Sequence, residues 1–160
     1  MNKNERNILD DIPANKFHSV VFTSFSLDLI NFDSRMLRLL QGKNICSVNV
    51  LVDQRQLDQY IEFSIPSLRY IGKEYSISGI LSKGAFHPKM SMFVGNSEIL
   101  LLYGSGNLTV PGQGKNHEVF SGFYANDKDK KQLPLIKEAW DYLLKYTKNI
   151  KGYVNTRIEK

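Results

Sequence analysis

Between Met90 and Tyr103 two apolar runs, Met90-Ser91-Met92-Phe93-Val94 and Ile99-Leu100-Leu101-Leu102-Tyr103, are separated only by Gly95-Asn96-Ser97-Glu98. Runs this short around a Gly-Asn-Ser turn predict a β-hairpin, which commits the chain to a sheet. Side chains alternate faces along a strand, so His87, Lys89 and Ser91 are expected on one side and Met90, Met92 and Val94 on the other. An imidazole and an ammonium therefore project together from one face.

The second run opens into Gly104-Ser105-Gly106-Asn107, which adds a hydroxyl, a carboxamide and backbone N–H groups expected to be exposed. Asn116-His117-Glu118 follows, and a strand starting near Asn116 would bring the Glu118 carboxylate to the same place. A proton carrier or nucleophile, a fixed cation, neutral donors and a carboxylate to orient an imidazole together suit a phosphate ester. His87, Lys89, Asn107 and Glu118 are thus the candidate catalytic residues. Ser105, Gly104 and Gly106 are candidates for substrate binding, with Lys83 a further phosphate contact near the mouth of the site.

His87 and Lys89, then Gly104, Ser105 and Asn107, then Glu118, resemble in order the phospholipase D superfamily, whose signature is His-x-Lys followed by Gly-Ser-x-Asn and often a Glu. The similarity covers about a fifth of the chain and is nearest to the nuclease-like branch, here with a single motif copy. The family places an Asp five residues after the Lys, where this chain has Val94. Relatives that cut nucleic acids also lose that Asp. The resemblance implies a metal-independent reaction in which His87 attacks phosphorus and forms a phosphohistidine. It also implies a second motif copy to protonate the leaving oxygen. Only one copy is present, and His117 alternates away from Glu118, so the expectation is a homodimer whose two chains share one active site.

Around this segment the chain alternates strands and helices. Ser19 to Thr23 is expected as a buried strand, Leu27 to Leu40 as a helix capped by Ser26 or Asp28 and stopped at Gly42, and Ile45 to Val52 as a second strand. Asp53 is expected to cap a helix through Leu57, Tyr60 and Ile61 that ends at Pro66, ahead of a strand around Tyr75 to Leu81. Val119 to Tyr124 reads as a final, central strand, and the stripe Leu133, Ile136, Trp140, Leu143, Leu144, Thr147, Ile150 as the longest helix. The lysines at 137, 145, 148 and 151 are read as the soluble back of that helix. Such alternation predicts an α/β fold, a mixed β-sheet flanked by helices on both faces, which the resemblance makes phospholipase D-like, in a single domain spanning 1–160 with residues 1–16 as a frayed lead-in holding one turn of helix.

Composition narrows the partners. A net charge of +5 favours a polyanion and tilts nucleic acid above lipid; of the nucleic acids, DNA is expected ahead of RNA. No run approaches the ~20 apolar residues of a membrane span, and the polar start lacks the pattern of a secretory signal, so no membrane partner and a cytoplasmic location are expected. The single cysteine, Cys46, is expected to be a buried inert thiol, which excludes a disulfide or a zinc site. No carboxylate cluster has metal-ligand spacing, so neither metal nor cofactor is expected. His18, alone before a strand, reads as structural. A metal-independent DNA or RNA nuclease, as the catalytic module of a restriction or defence endonuclease, leads. A degenerate module that binds nucleic acid without cutting and a phospholipid phosphodiesterase are the alternatives.

Overall fold

The computed structural model describes residues 8–148 and 150. Six strands form one sheet in the order β3-β2-β1-β4-β5-β6: β1 Ser19–Ser24, β2 Ser47–Asp53, β3 Tyr75–Ile80, β4 Met90–Val94, β5 Glu98–Gly104 and β6 Phe120–Asn126. β1, β2 and β3 are parallel, whereas β4 runs antiparallel to β1 and continues through the hairpin into β5 and β6. The sheet is therefore mixed, as the alternation of elements implies for its first half and the hairpin for its second.

Strand alternation decides what each face buries. Val20 and Phe22 of β1, Val48 and Val50 of β2 and Phe93 of β4 pack on one face against Leu29, Phe32, Met36, Leu37, Leu40 and Leu57. Val21, Leu51, Met92 and Leu101 face the other way, onto Ile136, Trp140, Leu143 and Leu144 of the C-terminal helix, Leu133–Thr147. Helices thus cover both faces of an α/β sheet. Among the described residues no helix is long and apolar enough to cross a membrane.

The helix expected from Leu27 to Leu40 is present with a widened turn: α-helical Leu29–Asn31 and Leu37–Gln41 flank a π-helical Phe32–Met36. Asp28 caps its start through Asn31 N–H, and Gly42 follows its end. The wide turn holds Asp33, which is buried and accepts the N–H groups of Arg69 and Tyr70 and the hydroxyl of Tyr75, each at 3.0 Å. Burial, reinforced by the Asp33 carboxylate, pushes the Tyr75 hydroxyl well above the usual tyrosine range. Asp53 caps the helix Gln54–Ser64 as expected, and its second oxygen accepts Phe86 N–H at 2.8 Å, next to His87.

Four expectations need correction. His87 and Lys89 precede β4 in extended chain, because Pro88 between them has no N–H to give a ladder. β6 is an edge strand and not a central one; its apolar alternation reflects the C-terminal helix on one face. β2 starts at Ser47, so Cys46 lies outside the strand and its side chain is exposed. Lead-in residues 8–11 form a 3-10 turn whose Leu9 is buried with Ile12, so this part is docked on the core. The rest of the expected lead-in up to residue 7, and Lys151, lie outside the described residues.

Candidate active site

The crevice beyond the carboxyl ends of parallel strands is where an open α/β sheet leaves backbone and side chains free to meet a ligand. Here the ends of β1 and β2, the segment entering β4, the loop leaving β5 and the segment entering β6 converge. Thr23, near the end of β1 and 2% exposed, donates its hydroxyl proton to the Pro88 carbonyl at 3.0 Å and accepts Met90 N–H at 2.8 Å. A buried hydroxyl used in both directions satisfies the Pro88 carbonyl and the Met90 N–H, and so holds His87 and Lys89 in place.

On this anchored segment the two side chains meet as alternation requires. Lys89 Nζ lies 2.9 Å from His87 Nδ1 and 3.4 Å from Nε2, and donates to the His87 carbonyl at 3.0 Å. Burial draws the Lys89 ammonium below the ordinary lysine range, and the nearby Glu118 carboxylate partly opposes this. The His87 ring is exposed on its outer side and on the other meets the Phe25 ring, with centroids 4.8 Å apart and planes 39° apart.

Asn107 is locked onto the chain leaving β1. Its Oδ1 accepts the N–H groups of Phe25 at 3.2 Å and Ser26 at 3.4 Å, and the Ser24 hydroxyl lies 3.2 Å from it. Two N–H donors identify that end of the carboxamide as oxygen, so the other end is Nδ2, which has no partner among the described residues. Ser24 also accepts Leu108 N–H at 3.0 Å, and Gln113 Nε2 donates to the Asn107 carbonyl at 3.0 Å. The carboxamide is thus a donor held by its own acceptor.

Gly104 and Gly106 serve close approach within the protein. A Cβ at Gly104 would stand 2.2 Å from the Val119 carbonyl oxygen, and one at Gly106 would stand 2.4 Å from that of Gly112. The N–H of Gly104 donates to the Lys89 carbonyl and that of Ser105 to the Val119 carbonyl, both at 3.1 Å. These two N–H groups are therefore spent, contrary to the expectation of an open donor loop; those of Gly106 and Asn107 have no partner among the described residues.

Glu118 reaches the site, but not as an acceptor for the imidazole. Its Oε2 takes the Ser105 hydroxyl proton, its Oε1 accepts from Asn116 Nδ2 at 3.2 Å, and Ser105 Oγ in turn accepts Val119 N–H at 3.1 Å. The Ser105 hydrogen bond first, then Asn116 and Lys89, hold the Glu118 carboxyl below the usual carboxylate range. The Ser105 hydroxyl expected at the phosphate is engaged with Glu118 instead. Lys83 is exposed on the connection leading to Phe86, and His117 is exposed near Glu118; neither contacts the other site residues. His18 lies at the far end of β1, about 20 Å from Ser24 at ~3.3 Å per residue.

Sequence reasoning did not single out Thr23, Ser24, Phe25 or the second role of Asp53. A signal for them was present: polar residues closing buried strands at their carboxyl ends, Thr23-Ser24 and Asp53, are where an α/β site is expected. The departure at position 94 also changes meaning. Val94 pairs with Ser19 and Ile99 at the far end of β4 and packs toward the C-terminal helix, about 16 Å along the strand from Lys89.

The backbone is similar to several solved structures. A mutant of yeast tyrosyl-DNA phosphodiesterase matches with a TM-score of 0.58 at 16% identity, over 94% of this chain and 37% of that one. NucT from Helicobacter pylori matches with 0.53 at 14% identity, over 88% of this chain and 85% of that one. Nuc from Salmonella typhimurium, a phospholipase D family member, matches with 0.50 at 16% identity, over 83% and 82%. The chain therefore spans little more than a third of the yeast enzyme and most of each of the other two. At such identities the shared property is the fold, which is phospholipase D-like. No protein-family model and no curated protein matches the chain in sequence.

Proposed function

We propose that this chain is a phosphodiesterase that cuts nucleic acid, DNA in preference to RNA, without a metal ion and through a phosphohistidine on His87. What carries the reading is Lys89 Nζ placed 2.9 Å from His87 Nδ1, with Phe25 joining the same imidazole to the Asn107 carboxamide. Cutting a phosphodiester requires that charge on the phosphoryl oxygens be met while a nucleophile attacks in line. A partly buried ammonium and an amide already locked by its own oxygen need little reorganisation as that charge develops. Lys89 supplies the positive charge and Asn107 a neutral donor to meet those oxygens. The neighbours in fold include a tyrosyl-DNA phosphodiesterase and a phospholipase D family member, which favours the same class of reaction.

In this scheme the lone pair of a neutral His87 nitrogen attacks phosphorus, and the bond to the leaving oxygen breaks. The leaving oxygen takes a proton from a protonated His87 of a second copy. That histidine, now neutral, removes a proton from water, whose oxygen attacks phosphorus and breaks the phosphorus–nitrogen bond. One His87 per chain makes the site incomplete alone, so two chains pair about a two-fold axis. Opposite protonation states of the two histidines give a bell-shaped pH profile. The chemistry suits a restriction or defence endonuclease whose sequence recognition lies in another part of the assembly. Val94, remote from Lys89, gives no reason to favour a decayed binding module.

Plasmid DNA and bis(4-nitrophenyl) phosphate incubated with the protein in EDTA, beside His87→Ala, test this. Cleavage that survives chelation, disappears with the substitution and leaves the phosphoryl group with its remaining ester arm on His87 after an alkaline quench supports the scheme. Binding without turnover, or hydrolysis of phosphatidylcholine but not of DNA, overturns it. An active monomer in sedimentation velocity removes the shared site.

A further inference from the structure

We infer that Phe25 is a positioning residue that sets the plane of the His87 imidazole and registers it against the Asn107 carboxamide. The inference rests on His87 being the reacting group and goes beyond it by naming what holds the ring. Among the described residues the imidazole has the Lys89 ammonium as its polar contact and the Phe25 ring as its aromatic contact. Glu118, the expected orienting carboxylate, is occupied by Ser105 and Asn116. Once a phosphate draws Lys89 to itself, Phe25 is what remains against the imidazole, with centroids 4.8 Å apart. The same residue donates its N–H to Asn107 Oδ1 at 3.2 Å. One residue at the exit of β1 therefore touches two of the three groups that meet the phosphate, His87 and Asn107.

An aromatic face orients differently from a carboxylate. A carboxylate accepting from Nδ1 fixes the tautomer as well as the ring plane. A phenyl ring restricts rotation about the Cβ–Cγ bond by contact alone and does not itself select a tautomer. That suits a site in which one copy of His87 starts neutral and attacks while the other starts protonated and donates. The same side chain can fill either role without a rearranged partner. Phe25 is half-buried, so replacing it does not open the core.

The test combines proton NMR of the His87 ring with hydrolysis of bis(4-nitrophenyl) phosphate by the full chain, for Phe25→Leu and Phe25→Tyr. Leucine keeps an apolar contact but has no ring current and a different shape. The expected result for Phe25→Leu is movement of the His87 ring-proton resonances toward free-histidine positions, an unchanged melting temperature, and kcat lowered about 10- to 100-fold with KM within about twofold. Phe25→Tyr restores both resonance position and kcat. Unmoved ring resonances, or a rise in KM at constant kcat, overturn the inference; the latter makes Phe25 a substrate platform. Because the NMR arm needs no turnover, an inactive wild-type protein would sink the proposed function while leaving the placement of the ring separately decided.

Discussion

The ammonium of Lys89 lies 2.9 Å from Nδ1 of His87 while also donating to the carbonyl of the same residue at 3.0 Å. Two residues apart on extended chain, the side chains reach each other because Pro88 points away between them. Lys89 is folded onto its neighbour, and a phosphate oxygen entering beside the imidazole would offer the ammonium a charged acceptor in place of a neutral one. Charge-assisted hydrogen bonds are roughly twice as strong as neutral ones, so the exchange favours binding.

Replacing Lys89 by methionine removes that cation while retaining much of its half-buried stem. The expected loss is about 10²- to 10³-fold in kcat, the range for removal of one preorganised charge-stabilising donor. The melting temperature should hold or rise, since a desolvated ammonium is lost. Steady-state kinetics with differential scanning calorimetry checks both.

Glu118→Gln should move the titration of the Lys89 ammonium, followed by NMR of its side chain, toward lower pH. Burial lowers the Lys89 pKa and the Glu118 carboxylate raises it, so neutralising the carboxylate leaves burial unopposed and the pKa falls further. A Lys89 titration that stays in place or moves up would show that the carboxylate does not act on the ammonium.

Asn107→Asp and Asn107→Leu separate the two ends of the carboxamide. Aspartate keeps an acceptor for the N–H groups of Phe25 and Ser26 but presents negative charge where Nδ2 stood. It should fold normally and lose cleavage of bis(4-nitrophenyl) phosphate. Leucine leaves both N–H groups without their acceptor and should cost about 1–3 kcal/mol of stability in urea denaturation.

Thr23→Val keeps shape but strips the hydroxyl that serves both Pro88 and Met90. Two polar backbone groups lose their partner at a site 2% exposed, so a destabilisation of about 1–3 kcal/mol is expected, with lower kcat because the His87 segment loosens. Urea denaturation and single-turnover rates give the two numbers.

Val94→Asp, which restores the carboxylate usual in the phospholipase D motif, should leave kcat unchanged within about twofold and lower the melting temperature. Val94 packs among Met92, Ile99 and Trp140 at the far end of β4 from the site, and an aspartate there gives up that apolar contact. A rate increase on substitution would show that position 94 acts on the site over that distance.

Periodicity and punctuation made most of the architecture legible. The Asp28 and Asp53 caps, the Gly42 stop, the hairpin around Gly95-Asn96-Ser97 and the apolar stripe from Leu133 to Thr147 are local, and local backbone preferences settle them. The pairing of His87 with Lys89 is equally local, since alternation alone puts residues two apart on one side. What periodicity does not carry is sheet order. An edge strand that buries one face and an inner strand can show the same alternation, which is why β6 reads as central until its neighbours are known.

The chain's own order thus determined that a histidine, a lysine and an asparagine-bearing glycine loop would sit on an α/β sheet. Only the tertiary structure decided how they are held. Ser24, Phe25 and Ser26 stand more than eighty residues before Asn107 yet supply the donors around its Oδ1. Thr23 stands sixty-five residues before Pro88 and donates to its carbonyl. Glu118 turned to Ser105 because that hydroxyl lies beside it once β5 and β6 are in register. Hydrogen bonds act over about 3 Å, so which polar groups satisfy one another depends on strand order and register, and those are settled by packing the whole core.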